Sequence, residues 1–204
     1  MPEQVKLIAI TGGIGSGKSV VSQILRKLGF PVYDSDTEAR QLMDNSIIIK
    51  NEIREKIDSA VIEKDGSINR KKLSEIVFNN AAKLNTLNHI VHSAVRNDLQ
   101  QYVKSCNCPV VFVETAILYQ SEIDRMVYAV WDVYAPVDVR IKRVMKRNSL
   151  TAEEVKKRIK SQEFMPEQVH KRTMIIINDD KTAILPQIET FLSDITPCPS
   201  DTTL

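Results

Sequence analysis

Short apolar runs alternate with stretches of helical periodicity along most of this chain. Five buried strands are predicted, at KLIAI (6–10), FPVY (30–33), PVVFVE (109–114), MVYAVWDVYA (126–135) and MIII (174–177). After the first run, Val21, Ile24, Leu25 and Leu28 share one helical face, and Gly29 ends that helix. A further helix is predicted over 183–193. Strands that alternate with helices predict an α/β fold with a parallel sheet and right-handed crossovers.

The pattern changes between about residues 37 and 104. Apolar residues recur there at spacings of three and four, in TEARQLM, IKNEIREKI, RKKLSEIVF and LNHIVHSAVRNDLQQYV, with no convincing strand between them. This segment is therefore predicted to be a helical insertion in the α/β core. The tail from residue 196 is rich in Pro, Ser and Thr and is predicted to fray.

Composition narrows the class of protein without naming a function. The chain has 204 residues, 43% of them hydrophobic, and a formal net charge of +2, which gives no overall attraction to nucleic acid or membrane. The three cysteines are Cys106, Cys108 and Cys198, too few for a disulfide framework, and are read as structural thiols. We see neither an N-terminal signal nor an apolar stretch of the ~20 residues that a bilayer span needs. A cytoplasmic protein without membrane or nucleic-acid partners is expected.

Positive charge is concentrated in one segment. Residues 139–172 contain eleven basic and four acidic residues, a net charge of +7, although the whole chain carries only +2. An anionic ligand is expected close to this segment. Its arginines are the better candidates, because a planar guanidinium binds phosphate oxygens in pairs, whereas most of the lysines suit a solvated helix face.

The stretch TGGIGSGKSVV (11–21) holds four of the six glycines, directly after the first predicted strand. Gly12 to Ser19 fit G-x-x-x-x-G-K-[ST] in the strand-then-helix context that a phosphate-binding loop requires. Backbone N–H groups there turn inward around phosphates, and the helix N-terminus adds partial positive charge. Lys18 is predicted to reach the β- and γ-phosphates of ATP, and the Ser19 hydroxyl to bind Mg²⁺. The residues predicted to contact ATP in this stretch are Gly13, Ile14, Gly15, Ser16, Gly17, Lys18, Ser19 and Val20.

A phosphate-binding loop is shared by small-molecule kinases, GTPase-type switches and ATPases that act on nucleic acid. The guanine-specific pattern N-K-x-D is absent, which argues against a switch. Phe164 is the only aromatic residue within 139–172, whereas single-stranded nucleic acid is bound on several stacked aromatics. The dinucleotide pattern G-x-G-x-x-G is also absent. The residues favour an ATP-dependent kinase acting on a hydroxyl, with a non-catalytic ATP-binding module as the alternative.

Carboxylates end two of the predicted strands. Asp34 and Asp36 follow the second strand, and in an open parallel sheet that edge faces the ligand crevice. Asp34 is the better general base, because Asp36 equally suits the N-cap of a helix that begins near Thr37. Glu114 ends the third strand, where it either holds Mg²⁺ or is a solvated strand end.

Two adjacent motifs resemble a known family. GGIGSGKS followed by DSDTEAR (34–40) is similar to the phosphate loop and the D-A-D-x-x-A-R motif of dephospho-coenzyme A kinases, and the resemblance runs over nearly the whole chain. It implies ATP- and Mg²⁺-dependent phosphorylation of the ribose 3′-hydroxyl of dephospho-CoA, the last step of CoA synthesis. It also implies that Asp34 is the catalytic base and that Arg40 lies beside the substrate. Another nucleoside or nucleotide kinase is the alternative within this fold.

Other stretches resemble the family less closely. LNHIVH looks like L-N-x-x-x-H-P of the CoA-binding helical domain, which implies a substrate role for His92, although Ser93 replaces the proline and a packed histidine is an equal alternative. RVMKR and RIKSQ look like the lid motifs R-x-x-x-R and R-I-x-x-Q, and MIIIND looks like the V-I-D-N strand near the adenine. These matches imply phosphate contacts for the lid and an ATP contact for the strand, from Arg143, Arg147, Arg158, Gln162 and Asn178. AILYQ (116–120) looks like the family segment P-L-L-F-E, from which Ala116 and Gln120 depart. Ile177 stands where V-I-D-N has its aspartate.

Together these observations predict a P-loop NTPase-type three-layer α/β sandwich. Its expected parts are a nucleotide-binding core (1–36, 105–138 and 173–204), a helical acceptor-binding domain (37–104) and a lid (139–172). Asp34, Lys18, Arg143 and Arg147 are the expected catalytic residues, with Ser19 and Glu114 at the metal. A monomer or weak homo-oligomer is expected. A lid that closes over bound phosphates would also exclude water from the transferred group.

Overall fold

The computed structural model describes residues 5–162 and 169–195, and in it all five predicted strands form. They are β1 (Lys6–Thr11), β2 (Val32–Asp34), β3 (Val110–Glu114), β4 (Ala129–Tyr134) and β5 (Thr173–Ile177). The strand order β2-β3-β1-β4-β5 places β1 at the centre of one parallel sheet, which confirms the predicted α/β class. The strand predicted over 126–135 begins only at Ala129, because a 3-10 turn at Ile123–Arg125 closes through a hydrogen bond from Met126 N to Ile123 O.

Eight α-helices occur in the described residues, at Lys18–Lys27 (α1), Ser35–Asn45 (α2), Ile47–Lys56 (α3), Arg70–Phe78 (α4), Ala81–Ser105 (α5), Val137–Asn148 (α6), Ala152–Ser161 (α7) and Ile184–Ile195 (α8). Within the described ranges, none of these helices is both long and apolar enough to cross a bilayer. The chain forms two compact units: a core unit of Met1–Tyr33 with Ser105–Leu204, and a helical unit of Asp34–Lys104.

The core unit is built on a sheet that is covered on both faces. Four consecutive residues are buried in each of β1 and β3, as expected for central parallel strands. One face packs against α1 and α8 through Val21, Leu25 and Ile188. The same core contains an aromatic cluster, in which the Trp131 ring centroid is 5.1 Å from that of Phe112 and 5.7 Å from that of Phe191.

The segment 137–162 of the core unit forms a helix pair that carries much of the positive charge. Val144 of α6 packs with Val155 and Ile159 of α7, and Ile14 of the glycine-rich loop packs against this cluster. Helix α7 starts with a capping box, in which the Thr151 side chain accepts from Glu154 N and the Glu154 carboxylate accepts from Thr151 N. The two helices that carry the lid motifs therefore pack directly against the loop through Ile14. Phe164 and Cys198 lie outside the described residues.

The helical unit has its own apolar core. Ile49, Ile53, Leu73 and Ile90 are buried together, drawn from α3, α4 and α5. The expectation of helices without strands is confirmed for this segment, apart from an isolated antiparallel bridge between Ile62 and Ile68.

One detail of this segment was wrong. Helix α2 begins at Ser35 rather than near Thr37, and its N-cap is Asp34 rather than Asp36. The physical reason is that the Asp34 backbone is still extended, with φ −98° and ψ 98°, so its side chain reaches the first-turn amides.

Candidate active site

The glycine-rich loop leaves the sheet through a tight corner at Gly12. Thr11, the last residue of β1, is paired with Asp132 of β4, so the loop starts against the neighbouring strand. Gly12 has φ +140°, and a Cβ atom at this position would lie 2.4 Å from the carbonyl oxygen of Val133. Only glycine fits this corner, which fixes the direction in which the loop starts.

The loop ends at the first turn of α1, and this helix end is suited to an anion. Its N-cap is Gly17, with φ 101°, so no side chain accepts from the first-turn amides, and the first turn carries no acidic residue. The Ser16 side chain is buried, and among the described residues its Oγ has no hydrogen-bond partner. First-turn amides without a cap, together with the positive end of the helix dipole, provide the donors that a phosphate requires.

Lys18 folds back across the same loop. Its Nζ donates to the carbonyl oxygen of Gly12 at 2.8 Å and more weakly to that of Gly13 at 3.4 Å. The ammonium group is therefore kept at the loop by backbone oxygens. From this position it can exchange these neutral acceptors for a more strongly attracting phosphate oxygen.

The two helices of segment 137–162 contact the loop at Ile14. The Ile14 N–H donates to the side-chain Oε1 of Gln162 at 2.8 Å, and Arg140 Nε donates to the Ile14 carbonyl oxygen at 2.9 Å. One of the amides that we expected to face phosphate is thus bound to a side-chain oxygen. Arg140 belongs to the basic segment, but no sequence motif singled it out for this contact.

Arg143 and Asn178 meet the other side of the loop. Arg143 Nη1 lies 3.3 Å from the carbonyl oxygens of both Gly15 and Ser16, and Asn178 Nδ2 donates to the Ser16 oxygen at 2.7 Å. Asn178 also packs so closely that a Cβ atom on Gly17 would lie 2.0 Å from its Nδ2. Three residues predicted from separate motifs, Arg143, Gln162 and Asn178, therefore come together on the loop.

The two other lid arginines that the sequence motifs predicted are exposed at their positions in the core unit. Arg147 is at the end of α6, where its Nε donates to the Asn148 side chain at 2.9 Å. Arg158 lies in the last turn of α7. Their phosphate contacts remain predictions.

The residues expected at a metal stand at two different elements. Ser19 is exposed in the first turn of α1, and Glu114 ends β3, where it pairs in register with Ile10 of β1. Among residues 5–162 and 169–195 there is no group of three or more His, Cys, Asp or Glu side chains arranged to hold a metal ion. A magnesium ion that is held by one or two protein oxygens and by nucleotide phosphates fits this sparse set of ligands.

Asp132 is a candidate that the sequence analysis missed. It lies within the apolar strand β4, on the opposite face from its buried neighbours Trp131 and Val133. Burial raises the pKa of the Asp132 carboxyl group, and the positive charges of Lys18 and Arg140 oppose that shift. The sequence signal that could have identified Asp132 is a single acidic residue inside an otherwise apolar strand.

The helical unit carries the other predicted residues. Asp34 Oδ1 accepts from the N–H groups of Asp36 and Thr37, each at 3.1 Å, and its Oδ2 accepts from the Thr37 hydroxyl at 3.0 Å. Arg40 is exposed on α2, and His92 is half-buried on α5. The carboxylate of Asp34 is therefore held in one orientation by its own helix.

Comparison with known proteins identifies relatives over nearly the whole chain. The family model for CoaE, dephospho-CoA kinase, matches residues 6–183. A dephospho-CoA kinase of Bacillus cereus is 38% identical over 180 residues, which cover 86% of this chain and 89% of the relative. A dephospho-CoA kinase of Bacteroides fragilis is 34% identical over 182 residues, covering 89% of this chain and 88% of the relative.

Solved structures also match this chain over most of its length. A Thermus thermophilus protein is 31% identical with a TM-score of 0.76, covering 94% of this chain and 98% of its own. Dephospho-CoA kinase from Campylobacter jejuni is 27% identical with a TM-score of 0.64, covering 93% of this chain and 96% of its own. A shikimate kinase from Acinetobacter baumannii, at 17% identity, covers 95% of this chain and 94% of its own, and its TM-score of 0.50 supports the fold alone.

Proposed function

The chain belongs to the dephospho-CoA kinase family, and on this premise we propose that it transfers the terminal phosphoryl group of ATP to the ribose 3′-hydroxyl of dephospho-CoA, giving coenzyme A. The observation that carries this proposal is the loop at Gly12–Ser19, with its uncapped helix end and Lys18, inside a chain whose residues 6–183 match the family. Backbone donors and a mobile cation are what a transferred phosphoryl group requires.

The roles on the ATP side follow from the contacts of the core unit. Lys18 leaves the carbonyl oxygens of Gly12 and Gly13 for the β- and γ-phosphates, while Arg143 and Arg147 supply further positive charge. Ser19 and Glu114 are the residues that would hold Mg²⁺, which neutralises phosphate charge when it is bound. ATP also competes with the Gln162 side chain for the Ile14 N–H.

Asp34 is proposed as the base that takes the proton of the acceptor hydroxyl. It is the last residue of β2, and ligands of open parallel sheets bind at the carboxyl ends of the strands. Its hydrogen bonds from α2 orient the carboxylate before any substrate arrives. Arg40, His92, Arg158 and Gln162 are proposed to contact the acceptor or its phosphates.

The first experiment identifies the acceptor. A coupled assay of ADP release is run with dephospho-CoA, adenosine and AMP as separate acceptors. Turnover with dephospho-CoA alone supports the proposal, and turnover with adenosine or AMP indicates a nucleoside or nucleotide kinase. ATP binding without turnover on any of the three indicates a non-catalytic module.

The second experiment tests the base. In Asp34→Asn the side-chain oxygen still caps α2, because Asn caps helices as well as Asp, but the general base is lost. We expect kcat to fall by about 10²–10⁴-fold with an unchanged Kd for ATP. Asp36→Asn removes the same charge two residues away and is the matched control. A kcat for Asp34→Asn within about threefold of the unsubstituted protein would contradict the assignment.

A cytoplasmic location and a monomeric or weakly associating state remain predictions.

A further inference from the structure

The outward-facing carbonyl oxygens of the phosphate-binding loop are themselves hydrogen-bonded. When consecutive amides of such a loop turn toward a ligand, some carbonyl groups turn away from it and need donors of their own. Arg143 Nη1 is shared between the oxygens of Gly15 and Ser16, at 3.3 Å each, and Asn178 Nδ2 donates to the Ser16 oxygen at 2.7 Å. The loop is therefore held from behind by two side chains more than a hundred residues away in sequence.

A carboxylate fixes the rotation of the Arg143 guanidinium. Arg143 Nη2 donates to Asn178 Oδ1 at 3.0 Å and also pairs with Asp180 Oδ1. A guanidinium is planar, so binding one nitrogen to Asp180 sets the direction of the N–H groups that face the loop. None of these hydrogen bonds joins Asp180 to the loop. Asp180 therefore acts on the loop through Arg143.

Asp180 is an unfavourable choice for stability alone. Its φ of 64° is in the left-handed region, which Asp adopts more readily than most residues but which glycine adopts without steric cost. The Asp180 side chain is 66% exposed, against 26% for that of Arg143, and ion pairs at such exposure add little to stability. The ion pair is therefore better explained by the position in which it holds Arg143 than by a contribution to stability.

We propose that Asp180 is a positioning residue for ATP binding: it holds Arg143 against the outer carbonyl oxygens of Gly15 and Ser16, so that the loop is ordered before the phosphates arrive. This inference rests on the proposed role of the loop in binding ATP. Ordering the loop beforehand lowers the conformational cost of binding, so it acts on the affinity for ATP. Asp180 thereby extends the site beyond the residues of the family motifs.

The test is Asp180→Gly, measured in three ways. We expect the Tm to stay the same or rise, because glycine adopts the left-handed region without steric cost. We expect the Kd and KM for ATP to rise by about 3–10-fold, because Arg143 loses a charged partner that is partly screened by solvent. The kcat at saturating ATP should change by less than about twofold, since the loop is ordered once ATP is bound.

One further variant separates the effect of the Asp180 charge from that of its backbone conformation, and a second serves as a control. Asn also tolerates the left-handed region and keeps the Oδ1 acceptor, so Asp180→Asn should restore part of the ATP affinity that Asp180→Gly loses. Asp179 is the matched control, because its carboxylate is engaged within its own turn, where Oδ1 accepts from the N–H groups of Lys181 and Thr182 and a side-chain hydrogen bond joins it to Thr182. Asp179→Asn should leave the Kd for ATP unchanged.

The outcomes distinguish this inference from the proposed function. An unchanged or lower Kd for ATP in Asp180→Gly overturns the positioning role, and a lower Kd would mean that Asp180 restrains Arg143 away from the phosphates. The Kd for ATP is measured without an acceptor. A protein that binds ATP but does not phosphorylate dephospho-CoA therefore contradicts the proposed acceptor, while the ATP affinities of the Asp180 variants still test the positioning role. A protein that binds no ATP overturns both.

Discussion

Replacing Gly12 by alanine is the sharpest test of the corner that starts the phosphate-binding loop. The added Cβ would lie 2.4 Å from the Val133 carbonyl oxygen and 2.8 Å from Ser16 Oγ. The first atom is the harder one to move, because it is backbone of β4, which pairs with strands on both sides. The substitution therefore combines backbone strain with a steric overlap that the sheet resists.

Gly29→Ala is the matched control, because it adds the backbone strain of a positive φ without the steric overlap. Gly29 has φ +89°, but a Cβ there meets nothing within 4 Å. Left-handed backbone costs an L-residue roughly 1–2 kcal/mol, and the stiffer unfolded chain offsets about 0.4–1 kcal/mol of that. We expect Gly29→Ala to lower the free energy of unfolding by about 0.5–1 kcal/mol.

Gly12→Ala should lower the free energy of unfolding several times more than Gly29→Ala does. Its φ of +140° is disfavoured for alanine by roughly 1–3 kcal/mol, and overpacking adds about 1–3 kcal/mol. The sum of about 2–6 kcal/mol, less the same offset of about 0.4–1 kcal/mol for the unfolded chain, leaves about 2–5 kcal/mol. This corresponds to a fall in Tm of about 4–20 °C for a chain of this size, against about 1–4 °C for Gly29→Ala. Thermal denaturation of both variants, followed by circular dichroism without nucleotide, gives the comparison. Equal Tm values for the two variants would refute the reasoning.

Two further predictions concern groups that touch the loop. Because burial raises the pKa of Asp132 above its ordinary 3.8, folding binds a proton more tightly, so the stability of the protein falls as pH rises from that value through the raised pKa. Asp132→Asn should remove this fall, so its Tm should exceed that of the unsubstituted protein at about pH 7.5 and approach it near about pH 4; the opposite trend would contradict the role of burial. Gln162→Ala removes an acceptor that competes with phosphate for the Ile14 N–H, so calorimetric titration should show a Kd for ATP lower by about 2–5-fold, and a higher Kd would argue against competition.

Local patterns were sufficient to predict the framework of this fold. The strands are short apolar runs bounded by Gly, Pro or charged residues, and the helical unit shows three- and four-residue spacing throughout, so both follow from neighbouring residues. The phosphate-binding loop was equally local, because its eight positions are consecutive. Even the cap of α2 required only the correct choice between Asp34 and Asp36.

The contacts that hold the loop from behind could not be predicted in this way. Arg143 reaches Gly15 across 128 positions and Asn178 reaches Ser16 across 162 positions, so their contacts depend on how the strands are ordered. Asp180 carries no motif, and its left-handed backbone becomes visible only in three dimensions. Asp132 was hidden for a related reason, because its neighbours Lys18 and Arg140 come from the loop and from α6.

The buried tryptophan of the aromatic cluster provides an intrinsic fluorescence signal for unfolding. Trp131 is the only tryptophan of the chain and has no exposed surface, and its indole N–H has no hydrogen-bond partner among the described residues. Its fluorescence should therefore be emitted at short wavelength in the folded state and shift to the red when water enters between β4 and α8. Since the helical unit contains no tryptophan, this signal follows the unfolding of the core unit alone. The difference between fluorescence and far-UV dichroism then isolates the unfolding of the inserted helices.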